Sequence, residues 1–377
     1  MVALFFPGSG EEPVRVWEAP YTPEPVVFER GPDSELFSEI PWHSYKFSFG
    51  GRHLAACDAD GDGTQDLLIA EKRTVHVFRL EGEGFREMNA FEIPGKGKIF
   101  SLGAFTFPGD SVASIVITTL EEVGVAKVIL TAQGQQGSLA IKVQTLVYKY
   151  ADDTGYGEVW KAENVFGRTA LDGIYLQEYS DANGFEGPIR KLVREPGGFG
   201  LGPSMDLPKG MGLYDFVVVD EFVAHYSRDG YILISRRDGS VAWNSDKKFG
   251  GGETTVSLPV LSKGLGKEVL RRIPLLRAEK GSYQVFVFRN NPFLGALPGL
   301  GFSSVDLAGL VVSPAGSAEE AWRMERVPGR LVDMTVLADG RMAVLLVPYV
   351  HFSDPIFDPA DYVQPRSAVL IMDTRER

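Results

Sequence analysis

Short apolar runs rich in Val, Ile, Phe and Tyr recur along the whole chain, each bounded by Gly, Pro, Asn or Asp. Runs of this length and composition predict β-strands. Many join in pairs across a turn. The segment TVHVFRLEGEGFREMNAFEI alternates on both sides of Glu81–Gly84, and GYILISRRDGSVAW turns at Asp238-Gly239. KVILTAQGQQGSLAIKV turns around Gly134–Gly137, IRKLVREPGGFGLG at Pro196-Gly197-Gly198, and MTVLADGRMAVLLV at Asp339-Gly340. Asp-Gly readily takes the positive φ of a tight hairpin. Helical periodicity is nearly absent. In SAEEAWRMERV, Ser317 and Glu320 have the spacing of a capping box, but Trp322, Met324 and Val327 suit a strand equally well.

The strands group into loosely similar units of roughly 45–60 residues, the size of a four-stranded propeller blade with its loops. They run from Gly50 to Gly97, Ile99 to about Tyr150, Trp160 to Pro208, Leu213 to Thr254, Arg271 to Gly329, and on to the end. The expected fold is therefore all-β: a single β-propeller domain over 1–377 with about six to seven four-stranded blades. Strands within residues 1–48 are expected to close the last blade, because ring closure removes exposed sheet edges. Two β-sandwich domains are the alternative, since hairpin-rich sequence fits both.

Composition narrows the function. Fifty acidic residues against 38 Lys and Arg give a formal charge of -12, which disfavours a nucleic-acid backbone as partner. No apolar run is long enough to span a membrane. Cys57 is the single cysteine, so no intrachain disulfide forms, and its setting in HLAAC reads as a small buried hydrophobe. The five histidines are scattered without zinc-site spacing.

The densest chemistry lies in CDADGDGTQDLLIA, residues 57–70. Asp58, Asp60 and Asp62 take places 1, 3 and 5 of a calcium-loop template. Gly63 takes place 6, Thr64 place 7 and Asp66 place 9. Carboxylates about 4 Å apart repel by roughly 4 kcal/mol per pair at an effective dielectric near 20. A calcium ion reverses that balance by taking six to eight hard oxygens, with Thr64 offering its backbone carbonyl. Place 12 is Ile69 rather than Glu, and DLLIA reads as a strand, so the loop is no EF-hand.

Instead, the pattern D-x-D-G-D-G-x-x-D-L-x-x-A resembles the FG-GAP or VCBS-type repeat over residues 54–70. The resemblance implies a propeller blade, best preserved over 50–97, with calcium held by Asp58, Asp60, Asp62, Thr64 and Asp66. It also implies kinship with integrin α-chain heads and exported bacterial proteins.

Catalytic signatures are missing. GGFGLG at Gly197–Gly202 lies in a hairpin rather than between a strand and a helix, so it reads as a turn. Asp152-Asp153 and Asp220-Glu221 read first as solvated surface. No catalytic or organic-cofactor residue stands out. The five tryptophans (Trp17, Trp42, Trp160, Trp243, Trp322) suit packing between blades. The loops PWHSYKF, DDTGYGEVW and YVHFSDPIFDPADYV suit a recognition face. The expected function is a non-catalytic, calcium-stabilised module that binds protein or glycan in the cell envelope or outside the cell. Export through a signal segment outside this chain goes with it, because weak calcium sites fill where calcium is plentiful. The alternative is a carbohydrate-active lyase or hydrolase on the same fold. A flat or aromatic face separates the first reading from a cleft with converging charged groups for the second.

Overall fold

The computed structural model describes residues 42–81, 84–131, 134–180, 184–227, 229–250, 254–260, 264–270, 275–277, 283–292, 302–347 and 367–373. Strand β1 (Trp42–Phe47) comes first. Blade one follows with β2 (His53–Cys57), β3 (Asp66–Glu71), β4 (Thr74–Glu81) and β5 (Gly84–Glu92). Blade two holds β6 (Lys98–Phe105), β7 (Ser114–Thr131), β8 (Gly134–Ala151) and β9 (Gly155–Glu163). Blade three holds β10 (Val165–Ala170), β11 (Gly173–Ser180), β12 (Gly184–Glu195) and β13 (Gly198–Ser204). Blade four holds β14 (Phe216–Val219), β15 (Phe222–Tyr226), β16 (Tyr231–Arg236) and β17 (Val241–Lys248). A separate hairpin of β18 (Thr254–Val260) and β19 (Gly264–Leu270) precedes blade five. That blade holds β20 (Leu275–Arg277), β21 (Tyr283–Pro292), β22 (Phe302–Val312) and β23 (Ala318–Pro328). Blade six holds β24 (Arg330–Val336), β25 (Met342–Val347) and β26 (Ser367–Met372). Its fourth strand is β1, which pairs antiparallel with β26 from Trp42↔Met372 to Phe47↔Ser367.

The described residues thus form six four-stranded antiparallel sheets plus one hairpin, a six-bladed β-propeller without helices. The first strands of neighbouring blades stand side by side, β24 near β2, β2 near β6 and β6 near β10. This strand order excludes the sandwich alternative. The ambiguous segment around Trp322 is β23, where Trp322 pairs with Gly309 and Ser317 bonds Ser313 instead of capping a helix. The second expected unit is longer than its apolar pattern suggested. β9, with its mostly polar face, completes blade two rather than opening blade three.

The hydropathy of each strand follows its radial position. Middle strands are covered by neighbouring blades on both sides and read as continuous apolar runs. MAVLLV in β25 and SAVLIM in β26 are buried almost throughout. Outer strands meet water on one side, and GFREMNAFE in β5 and VAWNSDKK in β17 are correspondingly polar. The core consists of the seams between blades. Phe47, Phe78 and Phe85 join Leu345, Val369 and Ile371 between blades six and one. Val217, Ile232, Val285 and Leu310 fill the seam between blades four and five. Each such side chain contributes about 1.5–3 kcal/mol on burial.

Several polar groups bond across the seams. Thr118 Oγ1 and Ser101 Oγ reach the Gly167 carbonyl, each at 2.9 Å, and the Tyr214 hydroxyl donates to it at 2.8 Å. Asp333 on blade six accepts from the Leu54 amide of blade one at 3.0 Å.

His225 on β15 is partly buried, with Nε2 2.9 Å from Ser235 Oγ. Burial holds its pKa below the ordinary 6.5, against a smaller upward pull from the Tyr226 carbonyl. The unfolded chain therefore takes up this proton first as pH falls. Stability present above about pH 6.5 is expected to fall as pH drops through that value, and to level off once the folded imidazole also protonates. Urea melts between pH 5 and 8 test this: His225→Gln should flatten that part of the profile, and an unchanged profile would refute it.

Candidate functional site

In a propeller blade the first-to-second and third-to-fourth strand connections leave on one face. Two chemically dense places lie on that face.

The first is the β2–β3 loop of blade one. Gly61 and Gly63 adopt φ of +83° and +84°, which L side chains rarely take, and this lets the loop coil. The Asp58 carboxylate accepts from the Gly61 amide at 2.7 Å and the Gly63 amide at 2.8 Å. Asp62 accepts from the Thr64 amide at 2.8 Å, and mainly through that bond its pKa sits below the usual value. Asp66 is buried and accepts from the Ala59 amide at 3.1 Å. Burial pushes its pKa up to about 6, with Arg79 and Ala59 pulling the other way.

Of the five expected ligand residues, Asp58, Asp60 and Asp66 are gathered, with one oxygen from each within 4.8 Å of the others. It is the one such cluster among the described residues. Asp62 lies outside it. Three carboxylates are hard donors, and this set fits a calcium ion better than a softer metal.

Sequence reading missed Arg79. It lies on β4 directly opposite Asp66 in the ladder. Its guanidinium donates from Nε to Asp66 at 3.0 Å, from Nη2 to Asp60 at 3.1 Å, and from Nη1 to Asp62. Burial opposes its charge, but the three carboxylates outweigh burial and raise its pKa. The loop therefore carries an internal cation. The register could have revealed it: pairing DLLIAE with TVHVFRLE across Lys72-Arg73 sets Arg79 opposite Asp66. Cys57, behind the loop, is buried, and burial and the nearby carboxylates raise its thiol pKa, which keeps it protonated and inert.

The second place is a cleft of about 380 Å³ between blades three, four and five. Arg168 and the Leu171–Asp172 turn come from β10 and the β10–β11 connection. Val217, Val218 and Asp220 come from β14 and the β14–β15 turn, Arg237 from the β16–β17 turn, and Tyr283 from the start of β21. Arg168 is buried, with its guanidinium carbon 4.6 Å from the Phe216 ring centroid and 5.3 Å from that of Tyr175. It donates to the Phe216 carbonyl.

Both cleft carboxylates meet a phenol. The Tyr175 hydroxyl donates to Asp172, and the Tyr283 hydroxyl donates to Asp220 at 2.6 Å. Burial works against the Asp172 carboxylate, but Lys191 and Tyr175 prevail and lower its pKa. Burial first, and then the bond to Asp172, raise that of Tyr175. The cleft thus places proton acceptors beside proton donors and adds two guanidiniums. Of the acidic pairs noted in the sequence, Asp220 lies in the cleft, whereas Asp152 and Asp153 are exposed in the β8–β9 turn.

Among the described residues the expected aromatic recognition face does not emerge. Trp322 is buried, and Trp160 and Trp243 pack partly into the seams. Tyr156 of DDTGYGEVW stacks on Phe91 at 4.6 Å. Trp17 and YVHFSDPIFDPADYV lie outside the described residues, as do the side chains of residues 42–46 in PWHSYKF. Gly197 and Gly198 form the turn between β12 and β13.

No family model and no curated protein matches the chain. Among solved structures it is similar to the soluble aldose sugar dehydrogenase from Escherichia coli in its apo form. That match has 12% identity and a TM-score of 0.40 over 89% of this chain and 100% of the other. Two glucose dehydrogenase structures match at 9% and 10% identity with TM-scores of 0.42 and 0.41. They cover 89% and 87% of this chain and 99% and 98% of their own. At these values the fold rests on the chain's own strand order.

The expectation of a non-catalytic binding or assembly module is corrected. The described face offers a concave site with converging Asp, Arg and Tyr side chains rather than a flat aromatic surface. Among the described residues no helix is long and apolar enough to cross a membrane.

Arg79 and Asp66 form an almost buried pair, with side chains 12% and 1% exposed. Replacing Arg79 with Leu strands the Asp66 charge and leaves Asp60 and Asp62 beside it. The expected loss is about 3–5 kcal/mol in chelator at pH 7. Urea unfolding measures it, and a loss below about 1 kcal/mol would mean that the guanidinium is not the counter-ion of the loop.

Proposed function

We propose that the chain is a carbohydrate-active enzyme on the propeller fold, a hydrolase or lyase, with the cleft between blades three, four and five as its site. The observation that carries this reading is the convergence of Asp172, Asp220, Arg168, Arg237 and Tyr283 on one concavity. Carboxylates and guanidiniums hold sugar oxygens in directional, often bidentate geometry. The Asp220–Tyr283 pair supplies a proton acceptor and a proton donor side by side, the equipment that glycosidic cleavage requires. Val217 and Leu171 give the cleft an apolar wall for the C–H face of a sugar ring.

We further infer that the blade-one loop takes calcium in a structural role, with Asp58, Asp60 and Asp66 as its ligands. In a ring of six, blade one stands across from blade four, so an ion there braces the loop and leaves the cleft chemistry to the cleft residues. A weak site of this kind suits surroundings richer in calcium than the cytosol, which supports export.

Two outcomes are expected. A panel of neutral and acidic oligosaccharides, followed by chromatography, should give cleavage by the wild type, and Asp220→Asn should lower kcat/KM by about 10²–10⁴-fold. Failure of the wild type on every glycan would overturn the enzymatic reading. In calorimetry, calcium at a hundredfold excess over its Kd should add about 2.7 kcal/mol to wild-type stability relative to chelator. Asp60→Asn should lose most of that gain, and identical melts with and without calcium would leave the loop to Arg79 alone.

A further inference from the structure

The cations of the two places are paired differently. In the blade-one loop one guanidinium faces three carboxylates. In the cleft, Arg237 donates from Nη1 to the Asp206 carbonyl at 3.1 Å and from Nη2 to the Asp220 carbonyl at 3.0 Å. Both acceptors are neutral backbone oxygens, one on the link between β13 and β14 and one on the β14–β15 turn. They aim the guanidinium fork without cancelling its charge, and they engage two of its five N–H donors. The carboxylates beside it are already engaged. Asp172 is held by Lys191 and Tyr175, and Asp220 takes the Tyr283 hydroxyl. Arg168, the second guanidinium, is pinned between two rings and a backbone carbonyl. A cleft whose carboxylates are occupied and whose half-buried Arg237 guanidinium is oriented by neutral groups is built for an anionic ligand.

Resting on the reading of this cleft as a glycan site, we propose that its substrate is an acidic glycan, a polymer with uronate units, whose carboxylate docks on Arg237, and that the chain is cut by β-elimination. The guanidinium disperses the negative charge that builds on the carboxylate as the adjacent C5–H bond breaks. The Asp220 carboxylate takes the C5 proton. The electron pair forms the C4–C5 double bond, and the C4–O4 bond breaks. The Tyr283 hydroxyl gives its proton to the departing O4. The proton on Asp220 then passes along the existing hydrogen bond to the Tyr283 oxygen, which restores both groups. The substrate's own proton is in effect moved from carbon to the leaving oxygen, and no water, oxidant or reductant is consumed. Asp220 and Tyr283 are thereby the catalytic residues and Arg237 the specificity residue.

The experiment uses polygalacturonate, alginate and hyaluronan as acidic probes, with their methyl esters and a neutral β-glucan as controls. At least one acidic polymer should yield ends with the ultraviolet absorbance of a conjugated unsaturated uronate, while the esters and the glucan stay intact. Arg237→Gln should lower kcat/KM on that polymer by on the order of 100-fold, chiefly through KM, with the melting temperature kept. Arg237→Lys should recover part of the loss, and Tyr283→Phe should lower kcat with KM little changed. New reducing ends without that absorbance would overturn elimination while leaving a carbohydrate-active enzyme. Equal rates on acid and ester, or an Arg237→Gln variant as active as the wild type, would overturn the carboxylate dock. Inertness toward every acidic and neutral glycan would overturn both this inference and the reading it rests on.

Discussion

Everything in this molecule depends on closing the ring. The pairing of β1 with β26 joins residues 42–47 to residues 367–372, and so ties the start of the described chain to its end. The closure covers β26, a strand buried at every position, which would otherwise be an apolar edge open to another chain. It also brings Phe47 against Phe78 and Phe85, so the hydrogen-bonded closure between strands doubles as a packed seam between blades six and one. The loop that this joint demands is long-range and costly in chain entropy, but its length adds to the cost only slowly.

Closure decides what can be built on the faces. Once the blades stand around an axis, their first-to-second and third-to-fourth strand connections share one face. Short turns there bring residues far apart in sequence to one spot. The cleft takes Asp172, Asp220, Arg237 and Tyr283 from connections of three successive blades. None of these turns is a motif by itself. The site is a property of the seam, which also explains why its groups rest on rigid supports. Arg168 is fixed by Phe216 and Tyr175, and Tyr283 leads directly into a buried strand.

Electrostatics divides that face between two tasks. In the blade-one loop, charge is partly offset internally by Arg79, an arrangement that stabilises a tight coil of carboxylates. In the cleft, backbone carbonyls orient Arg237 and phenols orient the carboxylates, so charge is aimed rather than cancelled. Pairing with opposite charge makes a brace, whereas orientation by neutral groups leaves charge available to a ligand.

The division between sequence and tertiary structure follows the range of the forces. All-β character, the hairpins at Asp238-Gly239 and Asp339-Gly340, and the acidic loop were legible because each rests on neighbours within a dozen residues. The radial order of strands was half legible, since SAVLIM and GFREMNAFE already differ as buried and outer strands do. Arg79 was within reach of register alone, because a hairpin fixes which residues face each other. The strand at Trp322, whose local pattern suited helix and strand alike, was settled by its pairing with β22. Asp220 read as solvated surface, and Arg168, Asp172, Arg237 and Tyr283 carried no local signal at all. Their meeting depends on how blades three, four and five pack, and that packing comes from many small contacts distributed over the ring rather than from any short stretch of chain.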